Sequence, residues 1–64
     1  MIELLKRPEV ERRTQLSRSS LYLLMSKGRF PAPIKLSERA VAWRASDVDE
    51  WIRQRIEASE GRAA

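Results

Sequence analysis

Residues 12–28 read RRTQLSRSSLYLLMSKG. The stretch divides into the end of one helix, a tight turn at Gln15–Leu16, and a second helix of about Arg18–Lys27. Ser17 stands where an N-cap is needed, its hydroxyl placed to accept from the N–H of Ser20 or its neighbour. Leu16, just before it, can staple against Leu21. Gly28 suits the left-handed residue that ends a helix. At 100° per residue Leu21, Leu24 and Met25 share one face. Ser19, Leu23 and Ser26 occupy the opposite face, flanked by Arg18, Ser20, Tyr22 and Lys27. Two helices joined this tightly form the pattern of a helix-turn-helix, whose second helix can lie in a DNA groove. No acidic residue occurs from Arg12 to Ser37.

Upstream, Met1–Leu5 reads as a short apolar lead-in, an edge strand at most. Pro8 opens the first helix, because a missing N–H at the first helical position leaves nothing unpaired. Glu9 and Glu11 favour the positive helix end, and the helix should close near Thr14 with Val10 inward. Downstream, Arg29-Phe30-Pro31-Ala32-Pro33 is extended, since each proline pushes its predecessor out of helical geometry. Ile34-Lys35-Leu36 and Val41-Ala42-Trp43 alternate as two strands of a hairpin. A four-residue loop at Ser37–Ala40 would set Leu36 opposite Val41 and Ile34 opposite Trp43, with all four apolar side chains on one face. This hairpin is a candidate wing, with Lys35, Arg39 and Arg44 on its outer face or tip. Ser46-Asp47-Val48-Asp49 resembles a capping box that starts a last helix, with Val48, Trp51, Ile52 and Ile56 as its inward stripe.

The expected fold class is therefore α+β, mainly α: a small winged helix-turn-helix of three helices and a β-hairpin wing. One domain over residues 1–60, with a frayed tail at 61–64, fits the loss of apolar periodicity after Glu57. At 64 residues such a domain buries only roughly 60% of its unfolded surface. The core expected from the large apolar residues is Leu4, Leu5, Val10, Leu16, Leu21, Leu24, Met25, Phe30, Ile34, Leu36, Val41, Trp43, Val48, Trp51 and Ile52.

The charge is uneven. From Lys6 to Arg44 ten basic residues face three acidic ones, a balance of +7, whereas Ala45–Ala64 holds three basic and five acidic, a balance of −2. One face is thus suited to a polyanion and the last helix to solvent or a partner. The chain has no cysteine and no histidine, so no disulfide and no Cys/His metal site is expected. No apolar run is long enough for a membrane span or a signal peptide. Only two glycines occur, Gly28 and Gly61, too few for a phosphate-cradling loop. Asp47, Asp49 and Glu50 read as decoration of a helix start. We therefore expect no enzyme activity, no cofactor, no metal and no small-molecule ligand.

Beyond these readings, Arg7–Ile52 resembles the AlpA family of small phage-type transcriptional regulators. The resemblance rests on TQLSRSS at Thr14–Ser20, Tyr22, Phe30-Pro31, VAWR at Val41–Arg44 and the Asp47–Ile52 end. It implies a winged helix-turn-helix similar to MerR-type and excisionase domains, acting in transcriptional regulation of prophage genes or as an architectural aid to excision. The family often carries glycine where Gln15 stands, and left-handed glutamine costs about 1 kcal/mol unless the turn is built differently. The family also often has a basic residue where this chain has Leu23.

On this reading Arg18, Ser19, Ser20, Tyr22 and Leu23 are the candidate base contacts. Leu23 would touch a thymine methyl group or another protein, and Ser20 would serve the groove or bond locally to Ser17. Arg12, Arg13, Lys27, Arg29 and Lys35 are candidate phosphate contacts, which give affinity and register. Arg39 and Arg44 belong to the wing, Arg39 entering the minor groove or meeting a phosphate. Trp43 and Trp51 are expected in the core. The partner is double-stranded DNA, with further copies of the chain on that DNA and contacts to an integrase or RNA polymerase. The setting is the cytoplasm of a bacterial or phage-infected cell, in association with the nucleoid. The alternative is a protein-interaction module that recruits an integrase, polymerase or other partner, with DNA binding incidental; exposed Leu23 and the acidic last helix favour it. RNA binding is disfavoured by the lack of stacking aromatics on a strand surface.

Overall fold

A computed structural model describes residues 1–63, with side chains described through residue 61. In chain order the elements are β1 (Leu4–Leu5), α1 (Arg7–Thr14), α2 (Arg18–Ser26), β2 (Ile34–Lys35), β3 (Val41–Arg44) and α3 (Ala45–Ala63). The architecture is the expected α+β class: three helices and a small antiparallel sheet of order β1-β3-β2. The hairpin β2–β3 is extended on its far side by β1, so the apolar lead-in is an edge strand of the same sheet.

α1 begins as the proline dictates. Pro8 lies in its first turn, and the Lys6 carbonyl accepts the N–H groups of Glu9 and Val10 at 3.0 and 3.1 Å. The helix ends on Gln15, whose φ of 60° and ψ of 24° are left-handed. The cost of that conformation is offset at two points. The Gln15 N–H donates to the Glu11 carbonyl at 2.8 Å, and its side-chain Nε2 donates to the Arg12 carbonyl at 2.7 Å. Both satisfy carbonyls that a helix end leaves orphaned. The turn thus keeps the left-handed residue without glycine.

α2 is held at both ends by local chemistry. Ser17 is extended, and its Oγ accepts the Ser20 N–H at 3.2 Å. At the other end Gly28 takes a φ of 68°. Its N–H donates to the Met25 carbonyl at 3.0 Å, and the Arg29 N–H donates to the Leu24 carbonyl at 2.9 Å. This is the two-bond Schellman closure. Leu21 is fully buried, and Leu16, Leu24 and Met25 pack against the same core.

The hairpin register differs by one residue from the expected one. Ile34 pairs with Ala42 and Lys35 with Val41, while Leu36 donates its N–H to the Ala40 carbonyl at 2.8 Å. The loop is therefore residues 37–39 rather than Ser37–Ala40. The cause lies on the other side of β3. Trp43 pairs with Leu5 and is buried, so its strand is positioned from β1 and the core, not from β2. A one-residue slip moves side chains between faces. The slip takes Leu36 off the face of Trp43, and Leu36 is exposed; Val41, on that face but next to the loop, and Leu4, paired with Arg44, are also expected in the core and are exposed.

α3 also starts differently. The chain passes from β3 into the helix at Ala45 with no intervening loop, and the Ala45 N–H donates to the Glu3 carbonyl at 2.8 Å. Ser46 is therefore already inside the helix and is not its N-cap. Asp47 remains in the first turn, where its carboxylate suits the positive helix end. Val48 is fully buried and Trp51 and Ile52 are partly so, but Ile56 is exposed. Every described side chain from Arg53 to Gly61 is exposed, so the second half of α3 stands clear of the packed body. Ala64 and the side chains of residues 62 and 63, part of the tail expected at 61–64, lie outside the described residues.

The core is small: Leu5, Val10, Leu21, Phe30, Trp43, Ala45 and Val48. Ala42 is buried too. Neither alanine belongs to the core expected from the large apolar residues. Among the described residues no helix is long and apolar enough to cross a membrane.

Candidate nucleic-acid interface

The outward face of α2 carries Ser19, Tyr22, Leu23 and Ser26, all exposed. Three of the candidate contacts sit there as expected, and Arg18 flanks them with its guanidinium carbon 5.8 Å from the Tyr22 ring centroid. That cation–π contact places both side chains along one edge of the helix. Ser20 is only partly exposed. The Ser17 hydroxyl donates to Ser20 Oγ at 3.1 Å, the local bond that is one of its two expected roles. Ser26 Oγ donates to the Leu23 carbonyl at 2.7 Å, so its proton is used within the helix.

Past the helix, Lys27 and Arg29 are exposed. The link that follows is pinned by the two tryptophans. Trp51 Nε1 donates to the Arg29 carbonyl at 2.8 Å, and Trp43 Nε1 donates to the Pro31 carbonyl at 3.0 Å. Phe30 meets Trp51 edge to face, ring centroids 5.0 Å apart. Both indoles therefore belong to the scaffold, as expected. Their partners, two carbonyls of the link, had no signal in the sequence. In the hairpin Lys35 and Arg39 are exposed, Arg39 in the loop. Arg44 is exposed but lies at the opposite end of β3, beside Leu4, so it is not part of the hairpin tip.

Apart from Arg55, whose guanidinium carbon lies 5.7 Å from the Trp51 ring centroid, the arginines with described side chains divide into two sets. One set is neutralised from within. Arg7 Nε lies 2.9 Å from Glu11 Oε2. Arg12 Nε donates to Glu9 Oε1 at 2.9 Å, and a second Arg12 nitrogen reaches the other oxygen. Arg13 is half-buried among three carboxylates, 3.0 Å from Glu9 and 3.6 Å from both Glu3 and Asp49. On α3, Arg53 pairs with Glu57 at 2.9 Å and also with Glu50. The hydrogen bonds from Arg12 first, and then from Arg13, hold the Glu9 carboxyl at a pKa of about 2. The same bond raises the Arg12 pKa. Arg12 and Arg13, read from the sequence as phosphate contacts, are thus engaged by carboxylates. The residues at fault are Glu9, one helical turn before each, together with Glu3 and Asp49, which the fold brings in.

The other set is unpaired. Among the described residues no carboxylate lies within ion-pairing distance of Arg18, Lys27, Arg29, Lys35, Arg39 or Arg44. All six are exposed. Among the described residues no group of three or more acidic, cysteine or histidine side chains is placed to hold a metal ion.

A short outward helix, a pinned link and a hairpin, with unpaired cations along all three, define a small helix-turn-helix domain with a basic face. The chain belongs to the family described as the prophage CP4-57 regulatory protein, AlpA, which matches it over residues 3–56. The family is a regulatory one. The chain is 44% identical over 52 residues to an uncharacterized protein, ORF88, of Enterobacteria phage P4. That alignment takes in 81% of this chain and 59% of the phage protein, so the chain spans about three-fifths of the curated relative it matches. No solved structure matches.

Proposed function

We propose that this chain is a sequence-specific double-stranded DNA-binding protein and a transcriptional regulator of the AlpA type. α2 lies in the major groove and presents Arg18, Ser19, Tyr22 and Leu23 to the base edges, with Ser20 chiefly shaping the helix start. Lys27, Arg29 and Lys35 meet phosphates, and Arg39 follows the backbone or the minor groove at the hairpin tip. Arg44 meets the backbone only where the DNA bends round the sheet. Arg12 and Arg13 are left to the scaffold. The observation that carries this reading is the segregation of charge: the cations of α1 and Arg53 of α3 are paired internally, Arg55 lies against Trp51, and those of α2, the link and the hairpin, with Lys6, have no carboxylate partner among the described residues. A set of unpaired cations in an acid-free stretch gains most from displacing the counterions of a duplex.

The setting is the bacterial or phage-infected cytoplasm, on nucleoid DNA, and no cofactor is required. One reading helix offers little affinity and a short site, so several copies bind adjacent sites, with contacts to an integrase or RNA polymerase made from the acidic α3. An excisionase-like architectural role would use the same face. Mobility-shift titrations of the chain on a site selected from random duplexes, and on unrelated duplex, test the proposal. Arg18→Ala and Tyr22→Phe should weaken the selected site more than the unrelated one. Equal losses on both would make these residues phosphate anchors. No shift with either duplex would leave the protein-interaction reading.

A further inference from the structure

Resting on α2 as the reading helix, we propose that it selects its site through thymine methyl groups, with Leu23 as the residue that reads them. The face is short. From Ser19 to Ser26 the helix rises about 10 Å, which spans roughly three base pairs of duplex. Within that span the polar groups discriminate poorly. Hydroxyls both donate and accept, so Ser19 and Tyr22 can strengthen binding to a selected site without by themselves fixing which base stands there. The Ser26 proton is already given to the Leu23 carbonyl at 2.7 Å.

The side chains that pair bidentately with one base are missing from the centre of this face. α2 contains neither asparagine nor glutamine. The nearby amide of Gln15 is bound to the Arg12 carbonyl at 2.7 Å. Arg18 and Lys27 stand at the flanks, and Arg18 is stacked beside Tyr22. Leu23 is left as the apolar side chain in the middle of the face, 54% exposed, although the core already has Leu21, Leu24 and Met25 on the other side. Placed in a major groove, its branched tip has one apolar counterpart among the base edges, the C5 methyl of thymine. Opposite guanine or cytosine the same tip would desolvate hydrogen-bonding groups without replacing their partners. The target is therefore a duplex with thymine where Leu23 lands, in an A·T-rich subsite.

Deoxyuridine lacks only that methyl, and it supplies the test. A duplex selected from a random library is compared with the same duplex carrying deoxyuridine for every thymidine, each titrated with the wild-type chain and with Leu23→Ala. Leu23 is exposed, so its truncation leaves the core intact, and thermal unfolding of the variant confirms this. We expect the wild type to bind the uridine duplex about fourfold more weakly for each methyl contacted, the value of one buried methyl-sized group. Leu23→Ala should bind both duplexes alike, and Leu23→Met should restore the preference. Equal wild-type affinity for the two duplexes overturns the inference and leaves DNA binding standing, as does a full uridine penalty that survives in Leu23→Ala. Absence of salt-sensitive binding to either duplex overturns the DNA-binding reading itself.

Discussion

The division between paired and unpaired arginines makes a quantitative prediction for salt. Six exposed cations on α2, the link, the hairpin and the end of β3 have no internal carboxylate. If each displaces the counterion of one phosphate, the logarithm of the binding constant falls with the logarithm of salt at a slope of about −5. Raising salt from about 50 to 200 mM would then cost roughly 10³ in affinity. Were Arg12 and Arg13 engaged as well, the slope would steepen to about −7. Fluorescence anisotropy of a labelled duplex over a salt series resolves the two. Single variants sharpen the assay. Lys27→Gln should flatten the slope by about 1. Arg13→Gln should leave the slope unchanged and lower the unfolding midpoint, because Glu9, Glu3 and Asp49 lose their shared cation. A slope near zero would remove the basic face from the mechanism. Equal flattening by Lys27→Gln and Arg13→Gln would refute the division, because it would mean that DNA outcompetes three carboxylates for a half-buried guanidinium.

Three further outcomes concern the scaffold. Trp43→Phe leaves the Pro31 carbonyl without its donor and empties part of a fully buried site; it should destabilise the fold by about 2 kcal/mol in urea melts, and a change too small to measure would mean the indole N–H is replaced by water. Ser17→Ala removes the cap of α2 and should cost about 1 kcal/mol, whereas Ser20→Ala should cost less because only its backbone N–H serves the cap; equal costs, read by thermal melts, would contradict that assignment. The Glu9 carboxyl, held at about 2 against an ordinary 4.5, contributes stability that is complete above the unfolded value and disappears as pH falls through the folded one. The stability difference between wild type and Glu9→Gln should therefore shrink between pH 4.5 and about 2, and a difference constant across that range would show that the arginine bonds do not set it.

What the sequence made legible was local. The proline at the start of α1, the serine before α2 and the glycine after it each satisfy or spare a backbone group within four residues, and each is where it was expected. What it concealed was tertiary. The hairpin register follows from Trp43 pairing with Leu5, nearly forty positions away in the chain, which strand alternation in Ile34–Trp43 cannot report. The start of α3 depends on the Glu3 carbonyl for the same reason. The positions of Arg12 and Arg13 were the exception, since Glu9 precedes them by three and four residues, a spacing that forms ion pairs on any helix. Reading that spacing alongside the charge total would have separated scaffold arginines from free ones. At the candidate site, the exposure of Tyr22 and Leu23 followed directly from the helical period.

The tryptophans tie the link between α2 and the hairpin to the core. Pro31 and Pro33 have no N–H to give, and the extended link they impose leaves carbonyls without a sheet or helix partner. Trp51 on α3 takes the carbonyl of Arg29, and Trp43 on β3 takes that of Pro31. Each indole thus joins a different element to the link, one at the exit of α2 and one at the approach to the hairpin. Phe30 is buried, with its ring edge to face with Trp51. The chain leaves α2 through the left-handed Gly28, whose φ of 68° sets the direction of the link, and the indoles then fix its course. Two hydrogen bonds and one aromatic contact thus tie the link between α2 and the hairpin to α3 and β3. Under the proposed function α2 and the hairpin address the same stretch of duplex, and the residues that hold the link between them, Phe30, Trp43 and Trp51, also pack in or against the core.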